Sequence, residues 1–261
     1  VTRGWSGPCP SPSAMPSTLT DPCASEWGEP ARWQLPLAQL CDSALPTGAF
    51  SHSFGLETYI CDGIVDGEAS FVSWLRALVS TQLTFSEGLG LRLAFEAVAV
   101  DDWEAIARLD DLLVAQAVPV QVRRAGITMG RRLLTIARLA LSGADDDRLL
   151  SRYAALVDAE GCCAHPAIVL AIAGYALTAP PSAVTAAYLQ SSVISLTQNA
   201  VRAIPLGQDA GQRAIASVRN DVRAAVRRIG TLDEMDLGAA APGIEISQMR
   251  HERQRARMFM S

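Results

Sequence analysis

The chain contains no lysine: all 22 of its basic residues are arginine. This removes every chemistry that needs a side-chain ammonium group, so a P-loop, a Schiff-base lysine and a pyridoxal site are excluded. Arginine remains for bidentate pairing with carboxylates or phosphates. Histidine is scarce, at three residues in 261 (His52, His165, His251). The six cysteines, Cys9, Cys23, Cys41, Cys61, Cys162 and Cys163, include no Cys-x-x-Cys pair. They read as reduced thiols. No run is long and apolar enough to span a membrane, and the first thirty residues lack the apolar stretch of a secretory signal. A net charge of −5 and a pI near 5.2 leave no basic footprint for nucleic acid. Together these absences point to a cytoplasmic protein without nucleic-acid or membrane partners.

What is present suits one sizeable core. Of the residues, 49% are hydrophobic and 19% charged, and a single domain is the default at this length. Residues 1–30 interleave six prolines with Ser, Gly and Thr, which predicts a disordered arm. The sequence starts on Val1, and Met15 is a candidate start. From residue 31 to 237 the apolar positions recur at helical spacing. Phe71, Trp74, Leu75, Leu78 and Phe85 form one stripe, and Trp103, Ile106, Leu109 and Leu113 another, with Asp101 and Asp102 as cap candidates. Ile127, Leu134 and Leu141 repeat by sevens before Gly143, and Asp145 to Asp147 open the next helix. Pro166 to Leu177 is apolar all round, which predicts a buried central helix. Pro180-Pro181 ends it, and Ser182 can cap its successor. Ile215, Val218, Val222, Val226 and Ile229 define a further amphipathic helix. No segment alternates with period two. The expectation is an all-α, single-domain bundle of roughly eight to ten helices. A Gly/Ala/Pro linker and a short basic tail, 238–261, follow it.

The stretch from Leu40 to Glu57 is the densest in unusual choices. A helical start meets Pro46, Thr47-Gly48 supplies a turn, and a second apolar segment carries Ser51, His52, Ser53 and Glu57. Gly55 lies in that second segment, and its expected use is close approach of another helix. A second corner, Arg202 to Gln212, breaks one helix at Pro205 and Gly207 and starts another at Gln208. Gln208 and Gln212 share a face there, and Gly211 permits close packing. The stretch Ser247 to Ser261 combines arginines with Met249, Met258 and Phe259.

These three stretches resemble the UreF family of urease accessory proteins. Leu45-Pro-Thr-Gly-Ala-Phe-Ser-His-Ser-Phe-Gly-Leu-Glu57 is similar to the family's N-terminal signature, and Pro205-Leu-Gly-Gln-x-x-Gly-Gln212 to its later corner. His251-Glu-x-Gln-x-x-Arg-Met-Phe-Met-Ser261 resembles a terminal block in which Leu and Arg usually stand at positions 258 and 260. Gln116 to Val120 departs from a more polar family pattern. The resemblance implies an all-α, cytoplasmic, dimeric, non-catalytic factor that binds UreD (UreH in some systems) and recruits the GTPase UreG. It implies delivery of nickel to apo-urease coupled to GTP hydrolysis, with no cofactor held tightly by this chain. It assigns partner binding to Arg202, Gln208, Gln212, His251, Glu252, Gln254, Arg257 and Phe259. It assigns structural roles to Pro46, Gly48, Ser53, Gly55, Glu57, Pro205, Gly207 and Gly211.

Two other readings of the residues stay open. One is a GTPase-activating protein that supplies an arginine in trans. The other is a helical enzyme using Asp42, His52 and Glu57, although no Gly-x-Ser-x-Gly elbow accompanies them. Cys162, Cys163 and His165 are a weak metal candidate, with too few ligands for a closed site.

Overall fold

The computed structural model describes residues 28–142, 147–238 and 241–261. The expected arm falls almost wholly outside these residues, as do Gly143, Asp145 and Asp146. Among the described residues there is no strand. The α-helices are α1 (Gln34–Leu40), α2 (Leu56–Cys61), α3 (Glu68–Ser80), α4 (Leu89–Ala99), α5 (Trp103–Gln116), α6 (Val120–Ala140), α7 (Asp147–Asp158), α8 (Pro166–Ala176), α9 (Pro181–Ala203), α10 (Gln208–Ser217), α11 (Arg219–Ile229) and α12 (Pro242–His251). A π-helical turn, Leu83–Gly88, runs directly into α4.

Local chemistry sets several boundaries. Asp102 caps α5, its carboxylate accepting from the Ala105 amide at 2.9 Å. At α8, Pro166 occupies the first helical position and His165 Nδ1 accepts from the Ala167 amide at 3.2 Å. The expected Ser182 cap is not used. Pro181 already fills the first position of α9, where its missing donor costs nothing, and Pro180 stands at the cap.

The core has two halves. In the first, α8 is the buried axis, with Ile168, Val169, Ala171 and Ile172 sealed from solvent. α4 and α6 pack on it, and α1, α5 and α7 complete this cluster. The second half joins α2, α3, α10, α11 and α12 around α9. α9 serves both: Val184 belongs to the first cluster, and Leu189, Val193, Leu196 and Ala200 to the second.

A backbone contact ties α6 to the loop before α8. A Cβ on Gly130 would lie 1.6 Å from the Ala164 carbonyl oxygen, so only glycine fits. The same loop is held from α5 by Asp110. Its carboxylate accepts the amides of His165 (2.6 Å), Ala164 (3.2 Å) and Cys163.

The expectation that residues 238–261 stand apart from the bundle is corrected. α12 packs along α2, and Ala241, Ile244 and Phe259 are buried. Residues Arg32–Ser261 form one compact unit. The Gly/Ala/Pro composition misleads because Pro242 starts α12 at its first position rather than loosening the chain.

Candidate functional site

The first and third sequence signatures meet at the start of α2. Gly48 takes a left-handed turn (φ 92°), so Thr47-Gly48 folds as expected. Gly55 is also left-handed (φ 90°) and precedes α2 rather than lying inside it. A Cβ there would sit 2.9 Å from Gln248 Cγ and 3.3 Å from the Ile244 carbonyl oxygen on α12. Both conformation and close approach therefore require glycine.

Glu57 is the hub. Its Oε2 accepts from the buried His251 ring at 2.7 Å and from the Phe259 amide at 3.2 Å, and its Oε1 accepts from the Met258 amide at 2.5 Å. Gln121 Nε2 reaches His251 Nδ1 at 3.0 Å. Gln121 is the donor there, which leaves the ring proton on Nε2, facing Glu57. A second knot fixes the chain's last residue. The Ser261 main-chain oxygen accepts from the Ser53 amide (2.5 Å), the Phe54 amide (3.1 Å) and Ser53 Oγ (2.9 Å). Ser261 Oγ lies 2.8 Å from His52 Nδ1, and Asn199 of α9 donates to the His52 carbonyl at 2.7 Å.

The second signature reaches this knot through Arg202. Its guanidinium stacks over Phe50 (3.9 Å) and lies 5.2 Å from the Phe259 ring centroid, while donating to the Phe50 carbonyl at 2.8 Å. Pro205 and Gly207 lie between α9 and α10 as expected. A Cβ on Gly211 would meet Val201 Cγ2 at 2.9 Å, so α10 approaches side chains of α9 rather than its backbone. Gln208 and Gln212 are exposed on α10 and make none of the contacts that join the other two signatures.

The residues expected to bind partners thus divide. His251 and Phe259 are buried; they hold the tail and present nothing outward. Gln254 is half-buried and donates to Thr58 Oγ1 at 3.1 Å. Glu252 and Arg257 are exposed, beside Arg253, Arg255, Met258 and Met260. Met258 and Met260 are 55% and 67% exposed, two large apolar side chains on a rigidly anchored strip. Sequence reasoning missed Gln121, Gln248, Asn199 and the Arg250–Asp62 pair (2.6 and 3.0 Å). Gln121, Asn199 and Asp62 are isolated polar residues with no periodic or motif signal, whereas Gln248 and Arg250 lie inside the third stretch at positions its resemblance leaves open.

The hydrolytic alternative does not assemble. Glu57 spends both oxygens on the tail, His52 on Ser261, and Asp42 Oδ1 accepts from the Ala44 amide at 2.8 Å. The metal candidate is not brought together either. Cys163 groups with Asp110 and Asp111, whereas His165 spends Nδ1 on its helix cap. Asp110 is itself occupied by three amides. Burial lifts the Cys162 thiol to about 12 and lowers His165 to about 4.

A family model described as UreF matches residues 65–219. A urease accessory protein UreF from Arthrobacter sp. (strain FB24) is 52% identical over 229 residues, 88% of this chain and 97% of the relative. UreF of Paenarthrobacter aurescens (strain TC1) is 48% identical over 231 residues, 88% and 99% of the two chains. The chain belongs to the UreF family of urease accessory proteins. Membership makes it a maturation factor rather than an enzyme. The UreF model spans the second signature and leaves the first and third outside its range. Among the described residues no helix is long and apolar enough to cross a membrane.

Proposed function

We propose that this chain acts in the cytoplasm, as a homodimer, as the docking factor that joins UreD (UreH) and the GTPase UreG for GTP-dependent nickel insertion into apo-urease. Nickel is the cargo of the assembly, and this chain holds no cofactor of its own. The observation that carries the docking role is the outward strip of the tail. Glu57, His251 and Ser261 fix its backbone while Arg257, Met258 and Met260 remain exposed. Arginine and methionine are enriched at protein interfaces, and a strip anchored before binding loses little further entropy on docking. Arg202 is exposed, yet Phe50 and Phe259 hold its guanidinium and tie it to the fold. The test is co-purification with UreD from the same organism, together with urease activity in cells. The double variant Met258→Asp/Met260→Asp should keep the helical fold, lose UreD and fail to activate urease. Full activation by that variant rejects the reading.

A further inference from the structure

A cavity of about 210 Å3 lies where the two core halves meet. Leu113, Leu133 and Leu170 line it from the first half, and Leu78, Leu83 and Leu196 from the second. None of these side chains belongs to the outward strip of the tail. Part of the polar wall comes from the π-helical turn, an uncommon element that recurs at functional sites. It carries Glu87, whose Oε1 accepts from Gln82 Nε2 at 3.2 Å. Glu87 Oε2 and Gln82 Oε1 are both shut off from solvent and have no hydrogen-bond partner. Both residues line the cavity, and a buried acceptor left unpaired costs about 1–3 kcal/mol.

The remaining ionisable groups on the wall favour positive charge. Asp42 and Glu245 add carboxylates. Arg123 also lines the cavity, and its guanidinium donates to the Ala117 and Val118 carbonyls. Burial keeps Cys41, Tyr188 and His165 uncharged at neutral pH, with Cys41 at about 12, His165 at about 4 and Tyr188 well above its ordinary value. The lining therefore holds three carboxylates, of which Asp42 is exposed and already accepts from the Ala44 amide, and one guanidinium that is also engaged.

We propose that this cavity binds a small organic cation, with an ammonium or amidinium head on Glu87 and Gln82 and an apolar body among the leucines. Size supports an aromatic-ring body, since a dry cavity of ~150 Å3 holds benzene. The larger space here leaves room for a polar head. A head with at least two N–H donors satisfies both orphaned oxygens, whereas an alcohol offers one donor and no charge. The occupant would bridge the two halves of the core, independently of UreD or UreG.

Calorimetry on the full chain with benzylamine, benzamidine and the neutral analogue benzyl alcohol tests this. Both cations should bind saturably at pH 8, and the alcohol at least about tenfold more weakly. Burial raises the Glu87 carboxyl to about 7, so its ionised fraction, and with it cation affinity, should fall about tenfold between pH 8 and pH 6. Glu87→Gln should weaken the cations by a similar factor at pH 8 and leave the alcohol unchanged. Equal binding of cation and alcohol, absence of saturable binding, or unchanged affinity in a folded Glu87→Gln overturns the proposal. If Glu87→Gln fails to fold, Gln82→Leu and the cation–alcohol comparison on the unaltered chain decide the question.

Discussion

Replacing Glu57 by glutamine changes almost no volume and removes one acceptor from a site that needs two. In the native arrangement Oε2 serves His251 and Phe259, and Oε1 serves Met258. A carboxamide offers one oxygen and one NH2 group. Whichever way it turns, either the Met258 amide or the His251–Phe259 pair faces a donor. One or two buried donors lose their acceptor at about 1–3 kcal/mol each. The charge-assisted character of the remaining bonds goes too. The expected loss is ~2–5 kcal/mol in the free energy that holds residues 258–261. At about 1.4 kcal/mol per factor of ten, hydrogen exchange at the Phe259 amide should quicken by about 30-fold to several thousand-fold. The Ser53 and Phe54 amides, bonded to the Ser261 oxygen, should quicken with it, because the two knots share one segment. Amides of α8, in the other half of the core, should hardly change. If exchange at Phe259 and Phe54 stays at the wild-type rate, Glu57 is not the hub of the tail.

Other outcomes follow from the same geometry. Gly130→Ala places a methyl 1.6 Å from the Ala164 carbonyl and should cost at least ~3 kcal/mol in urea unfolding, the upper end of ordinary overpacking. Glu87 titrates near 7 because of burial, against an ordinary value of 4.5. The native state therefore keeps that proton longer than the unfolded chain, and the group costs stability progressively as pH rises from about 4.5 to 7. Glu87→Gln should match wild type near pH 4 and exceed it by up to about 3 kcal/mol at pH 8; a difference that does not vary with pH contradicts the assignment. Phe259→Ala should cost ~3–5 kcal/mol of local stability and also weaken UreD capture, whereas Met260→Asp should lose capture with a melting curve close to wild type.

Much of the fold was legible because burial follows period. The Phe71–Leu78 part of the first stripe, the Trp103–Leu113 stripe and the all-apolar Pro166–Leu177 segment became α3, α5 and α8, with the expected faces inward, whereas Phe85 falls past the end of α3, half-buried in the π-helical turn. The signal failed where burial is polar or unpatterned. α12 has almost no amphipathic asymmetry, because it buries Ser247, Gln248 and His251 along with Ile244. A reading based on apolar spacing therefore treats the segment as solvated. The π-helical turn was equally hidden, since its sequence continues the helical pattern and only the backbone reveals the wider turn.

The three signatures show why a docking segment and a structural segment can be hard to tell apart in sequence. Arg257, Met258, Phe259 and Met260 are consecutive and all suit an interface, yet Phe259 turns inward and its neighbours face solvent. The inward turn of Phe259 comes from a backbone pinned at two points, the Met258 and Phe259 amides on Glu57 and the Met260 amide on the Ser51 carbonyl at 2.8 Å. Composition cannot report it, because the partners lie about two hundred positions away in sequence. Glu57, Ser53 and Gly55 therefore make sense only together with 248–261. The acidic hub satisfies the tail's donors, the glycine admits α12, and the serine helps hold the last residue. Anchoring of this kind separates two demands on the same residues. Alternate side chains meet the fold's need for burial, and the ones between remain outside for a partner.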